Sequence, residues 1–290
     1  VNKTSGGAGG STNVVIRGNS SINGTNQPLY VVDGVPIINR PIAGSAGMWG
    51  ETDTGDGIGD INPEDVESMT VLKGPNASAL YGSRGANGVI LITTKSGKKK
   101  RGIGVEINSN VSIDVLNLFP NFQNKYATGY EGTNLYGSMV EIGGQFYETM
   151  PTWHGDSWGP PLDGRRVVVD PFVFPGEEPR TMTLLPQPED NVANFYETGV
   201  TNTNNVALSG SNENGSARLS IGNTSIKGIT PNHEVNKYNV SLRASNQLTD
   251  FLSFDGKISY LRTEGEQRPA LGSSVENVAR NFSTMGRYVP

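Results

Sequence analysis

The sequence has 290 residues, a net charge of −5 and no cysteine. The missing thiols exclude disulfides, thiolate catalysis and thiolate zinc sites together, and the acidic balance gives the chain no general attraction to nucleic acid or to an anionic bilayer. Glycine, with 38 residues, runs at about twice its average share and with 17 prolines favours short strands and turns over long helices. The length suits one large or two ordinary domains. No apolar run reaches the ~18 residues of a membrane-spanning helix, which leaves a membrane β-barrel open. The chain starts at Val1 with no signal peptide, which reads as a processed or truncated N-terminus.

Residues 1–97 read as a small mixed α/β unit. After the glycine- and serine-rich opening TSGGAGGST, the stretches NVVIRGN and PLYVVDGVP are short β-branched runs bounded by Gly, Pro and Asn, and are predicted as strands. The following stretch, ETDTGDGIGDINPEDV (51–66), has the look of a calcium loop. Counting from Asp53, Glu64 falls at position twelve of an EF-hand, but positions three and five are Gly55 and Gly57, and the glycine position holds Ile58. Asp53, Asp56, Asp60 and Glu64 therefore do not form a metal site on this reading, and the stretch is a glycine-rich loop feeding a helix. Asn62 is its cap, Pro63 its first residue, and Glu64 and Asp65 face its positive end. VESMTVLKG reads as helix end and strand, GPNASALYGSRG as a second helix started by Pro75 and stopped by Gly82, and GVILITTK as a strand buried on both sides. The run Lys98, Lys99, Lys100 and Arg101 reads as a solvated linker.

From about 103 the pattern changes to strict alternation, the second domain being counted from 98. In IGVEINSNVSIDV the apolar residues Ile103, Val105, Ile107, Val111, Ile113 and Val115 alternate with polar ones, a period of two. KYNVSLRAS and FLSFDGKISYLR repeat it, with weaker versions near 203–211 and 216–226. The connections between these five strands alternate long (about 116–202), short, long, short, as an up-and-down barrel with short periplasmic turns requires. A closed barrel needs about eight strands, so five imply a fragment.

PLYVVDGVP (28–36), INPEDVESMTVLKGPNASALYGSRGANGVILITTKSG (61–97) and DNVANFYETGVTNTNNVALSG (190–210), in this order, resemble the SusC-like branch of TonB-dependent outer-membrane transporters of Bacteroidetes. The resemblance implies an α+β plug domain over 1–97. It implies further that 98–290 begins an antiparallel transmembrane β-barrel of about twenty-two strands in the outer membrane. It also implies import of a glycan or peptide oligomer with no cofactor, a SusD-like surface lipoprotein as lid, and the TonB-ExbB-ExbD complex as the source of force. Outer-membrane lipid would surround the barrel. The features missing from this chain are a signal peptide, an extra N-terminal domain, a TonB-contacting box and most of the barrel.

Within that frame Arg17 and Arg84, each beside a glycine, are expected to pair with acids of the plug or the inner barrel wall and hold the plug in place. Asp33 either joins them or is a turn residue bonded to its own backbone. The first long loop carries PTWHGDSWGPPLDGRR, where Trp153, His154, Asp156 and Trp158 are candidates for ligand contact, the alternative being that the tryptophans pack the loop or meet the lipoprotein. Loop 40–60 is expected to rise toward the ligand, and His233 to be an ordinary loop residue. Enzyme motifs fail: Tyr81 occupies the first glycine position of a Gly-x-Ser-x-Gly elbow around Ser83, and Gly55, Gly57 and Gly59 do not meet the dinucleotide spacing. The competing class is a secreted carbohydrate-binding or adhesin module folded as a β-sandwich, and a transporter that also signals transcription is a third reading.

Overall fold

The computed structural model describes residues 2–3, 8–16, 18, 26–39, 52–97, 102–118, 120–129, 139–150, 158–170, 174, 176–188, 192–274 and 276–284. Arg17, the 98–101 basic run, the first part of loop 40–60, Trp153, His154 and Asp156 lie outside them. Two compact units are present, one made of 1–115 and 197–271, the other of 116–196 and 272–290.

In the first unit, β1 (Asn2–Lys3) pairs with β2 (Thr12–Asn13). The predicted strand NVVIRGN goes no further than this. Val14 and Ile16 leave the ladder and pack instead against Tyr30, Ile90 and Ile92. β3 (Leu29–Val32) and β4 (Val35–Ile37) form a hairpin whose two linking residues, Asp33 and Gly34, have φ of 47° and 86°. A two-residue turn with both φ positive matches the twist of the strands it joins, and Asp-Gly is among the pairs that adopt it readily.

Asn62 caps as expected, its Oδ1 accepting the Glu64 N–H at 3.0 Å, but the helix behind it is a single 3-10 turn, Pro63–Asp65. The chain then passes directly into β5 (Val66–Leu72), because the β-branched Val66, Thr70 and Val71 find a ladder on the neighbouring strand. α1 (Pro75–Tyr81) starts on Pro75 and stops at Gly82, whose φ of 60° costs a glycine nothing. β6 (Val89–Thr94) is the inner strand of the sheet, ordered β4-β3-β6-β5. It is parallel to β3, as the intervening helix allows. Ile90 and Ile92 pack on one face with Tyr30, and Val89 packs on the other with Val31 and Ala77, so β6 is buried from both sides.

After β7 (Gly102–Asp114) the chain forms two hairpins, β8 (Met139–Ile142) with β9 (Gln145–Glu148) and β10 (Arg166–Asp170) with β11 (Arg180–Thr183). It then runs through β12 (Gly199–Ser211), β13 (Gly215–Lys227), β14 (Glu234–Thr249) and β15 (Leu252–Glu266), and α2 (Val278–Thr284) follows. β7 and β12–β15 make one antiparallel sheet, ordered β15-β14-β13-β12-β7. The predicted loop end near 202 moves to 198, since β12 begins at Gly199 and pairs along its whole length with β7.

Register aligns this sheet's residues into rows across all five strands. One row is Val105, Leu208, Leu219, Leu242 and Ile258; another is Ile107, Val206, Ile221, Val240 and Tyr260. Almost all of these side chains are exposed. Between the two rows, facing the other way, lie Glu106, Ala207, Ser220, Ser241 and Ser259. The sheet is therefore a single layer, apolar on one face and polar on the other. That pattern suits a wall between lipid and a wet lumen, whereas a β-sandwich would bury the apolar face against a second sheet.

The second unit has its own core of Ala127, Met150, Val167 and Leu184. Its β8–β9 hairpin turns on Gly143 and Gly144, with φ of 60° and 83°.

Candidate functional site

The polar face of the five-stranded sheet meets the four-stranded α/β unit along a seam of ions and amides. At one point of it the tight turn between β3 and β4 presents Asp33 to three strands at once. Thr94, at the end of β6, donates its backbone N–H to Oδ1 at 2.9 Å and its hydroxyl to Oδ2 at 2.6 Å. Lys257 of β15 donates to Oδ2 at 3.0 Å, and Arg243 of β14 reaches Oδ1 at 3.4 Å. The same two cations contact Thr94 Oγ1, and Arg243 also holds Asp255 with both arms of its guanidinium at 3.3 Å. Asp33 thus bonds across the seam rather than to its own backbone. Burial pushes its carboxyl up, but the hydrogen bonds from Thr94 and Lys257 and the charge of Lys257 outweigh that and hold it below the ordinary 3.8.

A carboxyl depressed in the folded state adds stability above its ordinary value and loses it as pH falls through the lowered one. Acid release of the α/β unit, followed by limited proteolysis between pH 5 and pH 2, should therefore show a component below pH 4 that Asp33→Asn removes.

A second cluster centres on Arg218 of β13, which is 6% exposed. Its Nη1 donates to Glu106 Oε2 at 3.0 Å, and its Nη2 stands 3.7 Å from Asp65 Oδ1. Lys95, just past β6, completes the cluster by donating to Glu106 Oε1 at 2.7 Å. Acid and base thus cross the seam in both directions.

Amides fill the space between. Asn62 Nδ2 donates to Asn205 Oδ1 at 3.1 Å while its Oδ1 caps the 3-10 turn. Gly222 lies under this contact, where a Cβ would come within 2.4 Å of Asn239 Oδ1 and 3.0 Å of Asn62 Nδ2. Asn62→Ala removes both the cap and the cross-seam bond, and should cost about 1–2 kcal/mol, read as a lower midpoint for release of the α/β unit in urea.

Toward the other end of the sheet, Lys237 donates to the Gly59 carbonyl at 2.6 Å and faces Asp60 at 3.8 Å, and Arg268 donates to the Asp53 carbonyl at 2.9 Å. A 410 Å³ cavity there is lined in part by Asp60, Asn62, Lys237 and Asn239.

Two of the four acids of the calcium-like stretch are held by hydrogen bonds to the protein. Asp53 accepts from Ser11 and Gly55, and Asp56 from Thr12, Asn39 and Gly59. Among the described residues no three acids or histidines are grouped to hold a metal ion. Arg84 lies exposed in the 3-10 turn after α1, with no ion pair among the described residues. Trp158 is 69% exposed in the second unit, where its backbone N–H bonds the Gly129 carbonyl. His233, in the β13–β14 connection, is buried, and burial pushes its imidazole below the ordinary range. Sequence reasoning missed Arg218, Arg243 and Lys257. Their signal was a basic residue at an inward position of three successive strands, legible only once the register is known.

Residues 1–89 match the TonB-dependent receptor plug domain. Over 104 residues the chain is 46% identical to the TonB-dependent receptor SusC of Bacteroides thetaiotaomicron, covering 36% of this chain and 10% of that protein. TonB-dependent receptor P26 of Formosa agariphila is 36% identical over 111 residues, again 10% of its length. The structure of the RagAB peptide importer in its closed-closed state superposes with a TM-score of 0.57 at 22% identity, over 88% of this chain and 26% of that one. The chain thus spans about a tenth of these curated relatives and about a quarter of that solved chain. A plug-domain match over residues 1–89, 46% identity to SusC over 104 residues, and a polar sheet face docked on the α/β unit agree: the chain resembles the SusC-like TonB-dependent transporters of the outer membrane, with a plug domain followed by antiparallel strands of the kind that begin their barrel.

Proposed function

We propose that the whole protein imports a nutrient oligomer, a glycan or a peptide, across the outer membrane by TonB-dependent active transport. Residues 1–97 act as the plug and 98–290 begin the barrel. The observation that carries this reading is the two-faced sheet, with apolar rows outside and a polar face whose charges are answered by acids of the plug. Asp33 anchors the plug through Lys257 and Arg243. Arg84 serves the same end against strands later in the barrel than β15, and Arg17 is assigned with it. Such a seam of hydrogen bonds and ion pairs can be parted by force without exposing a large apolar surface to the lumen. The TonB-ExbB-ExbD complex supplies that force, and a SusD-like lipoprotein closes the lumen from outside.

The segment between β7 and β12 carries the ligand-contact candidates Trp153, His154, Asp156 and Trp158. Tryptophan faces suit sugar rings and peptide side chains alike. A Trp153→Ala/Trp158→Ala variant should bind the imported ligand at least tenfold more weakly with its plug still protease resistant. Unchanged affinity would assign these residues to loop packing.

The reading itself is tested by gel mobility of the full-length protein from detergent-extracted outer membranes, with and without boiling, and by identifying what co-purifies. A folded form that shifts on boiling and brings down a surface lipoprotein is the expected result. A species that stays soluble without detergent and does not shift would overturn it.

A further inference from the structure

Arg218, Arg243 and Lys257 are direct cross-strand partners on β13, β14 and β15. Like charges placed side by side in this way destabilise a sheet, so the row needs anions opposite it. The sheet supplies two, Glu106 to Arg218 and Asp255 to Arg243. The plug supplies two more, Asp33 and Asp65, and brings one cation, Lys95. Without the plug, the sheet's three cations face only two carboxylates, and Lys257 loses its partner.

Arg218 shows where an incoming anion would sit. Its side chain is 6% exposed, yet its Nε and Nη2 make no hydrogen bond among the described residues, and neither does Asp65 Oδ1 opposite. Two adjacent N–H groups on one edge of a guanidinium form the fork that matches an oxyanion in bidentate fashion. Asp65 stands 3.7 Å away, close enough to neutralise the charge and too far to fill the fork.

We infer that the Arg218, Arg243 and Lys257 row is an oxyanion-binding strip on the inner barrel wall, and that Asp33 and Asp65 are resident substitutes for its ligand, a carboxylate or phosphate group. This rests on the plug reading above. When the plug shifts, the two acids leave with it, and the strip becomes available to anionic groups moving along the wall. No covalent step is involved, and the exchange is of one carboxylate for another oxyanion.

The test uses full-length protein in detergent carrying Asp33→Asn/Asp65→Asn, which removes the charge of both substitutes. At constant ionic strength, inorganic phosphate should raise this variant's melting temperature by a few degrees in a saturable manner and leave the wild type unmoved. Adding Arg218→Gln and Lys257→Gln should abolish the response. A response matched by chloride, or one that never saturates, is general screening and overturns the strip. If the double variant melts like the wild type and its plug resists protease equally, the acids are not anchors and the plug-anchoring reading fails instead. Should the double variant not fold, Asp33→Asn alone frees Lys257 and is read in the same way, and absence of a phosphate response there also overturns the strip.

Discussion

Arg218→Ala should release the plug from the wall more severely than any other single change of a charged residue in the seam. The side chain is 6% exposed and lies between Glu106 and Asp65, the second of which is itself largely buried. Removing the cation strands Asp65, whose side chain is 13% exposed, while Glu106 keeps Lys95. Breaking a buried pair by deleting one partner typically costs about 3–5 kcal/mol, mostly because the other charge is stranded. The cost should appear as a lower urea midpoint for plug release and faster proteolysis within 61–97, with the heat-modifiable mobility of the barrel retained. Arg218→Lys should recover part of the loss, since an ammonium restores the charge but cannot span both acids as the guanidinium does. Removing Asp65 together with Arg218 should cost less than the single change, because no stranded acid remains. A single variant as stable as the wild type would show that the cluster is solvated and contributes little.

Much of this architecture was legible from local signals. The alternation in β7, β14 and β15 gave both faces of the sheet, because a period of two fixes which side chains share a side. The run around Ile90 gave the doubly buried strand, and Asp33 was read as a turn residue, although the hairpin that turn makes within PLYVVDGVP was not. Where local signals misled, a tertiary partner decided. Val66 left the predicted helix end for a ladder on β6, and Val14 and Ile16 went into the core instead of a strand. The Gly143–Gly144 hairpin was readable as a two-residue turn between short apolar runs, but it lay inside a segment taken whole as loop.

The seam was the least legible part. Asp33 was named for its turn, while its partners Arg243 and Lys257 lie more than two hundred residues further along the chain. Nothing local marks either residue. What brings them to Asp33 is the register of β13 to β15, which sets three cations in one row, and a one-residue slip of any strand would turn its cation toward the lipid.

Gly97→Val should detach the end of the plug from the barrel wall altogether. Gly97 follows β6 and runs against β13, where a Cβ would come within 2.4 Å of the Ala217 carbonyl oxygen and 2.9 Å of its carbon and nitrogen. These are backbone atoms of an inner strand, paired on both sides with β12 and β14, so they cannot yield as the tip of a side chain would. The clash must be relieved by moving the plug, and two neighbouring contacts would go with it. Lys95 lies two residues before Gly97 and holds Glu106, and Thr94 holds Asp33 and Lys257. Overpacking alone costs about 1–3 kcal/mol, and loss of these contacts would bring the total to roughly 3–5 kcal/mol. By contrast, Gly34→Ala meets no atom within 4 Å and strains only the turn, which costs about 1 kcal/mol. Comparing the two variants separates a steric requirement of the seam from a conformational one. If Gly97→Val left plug protease resistance at the wild-type level while Gly34→Ala lowered it, close approach of the plug's end to β13 would not be what holds the two together.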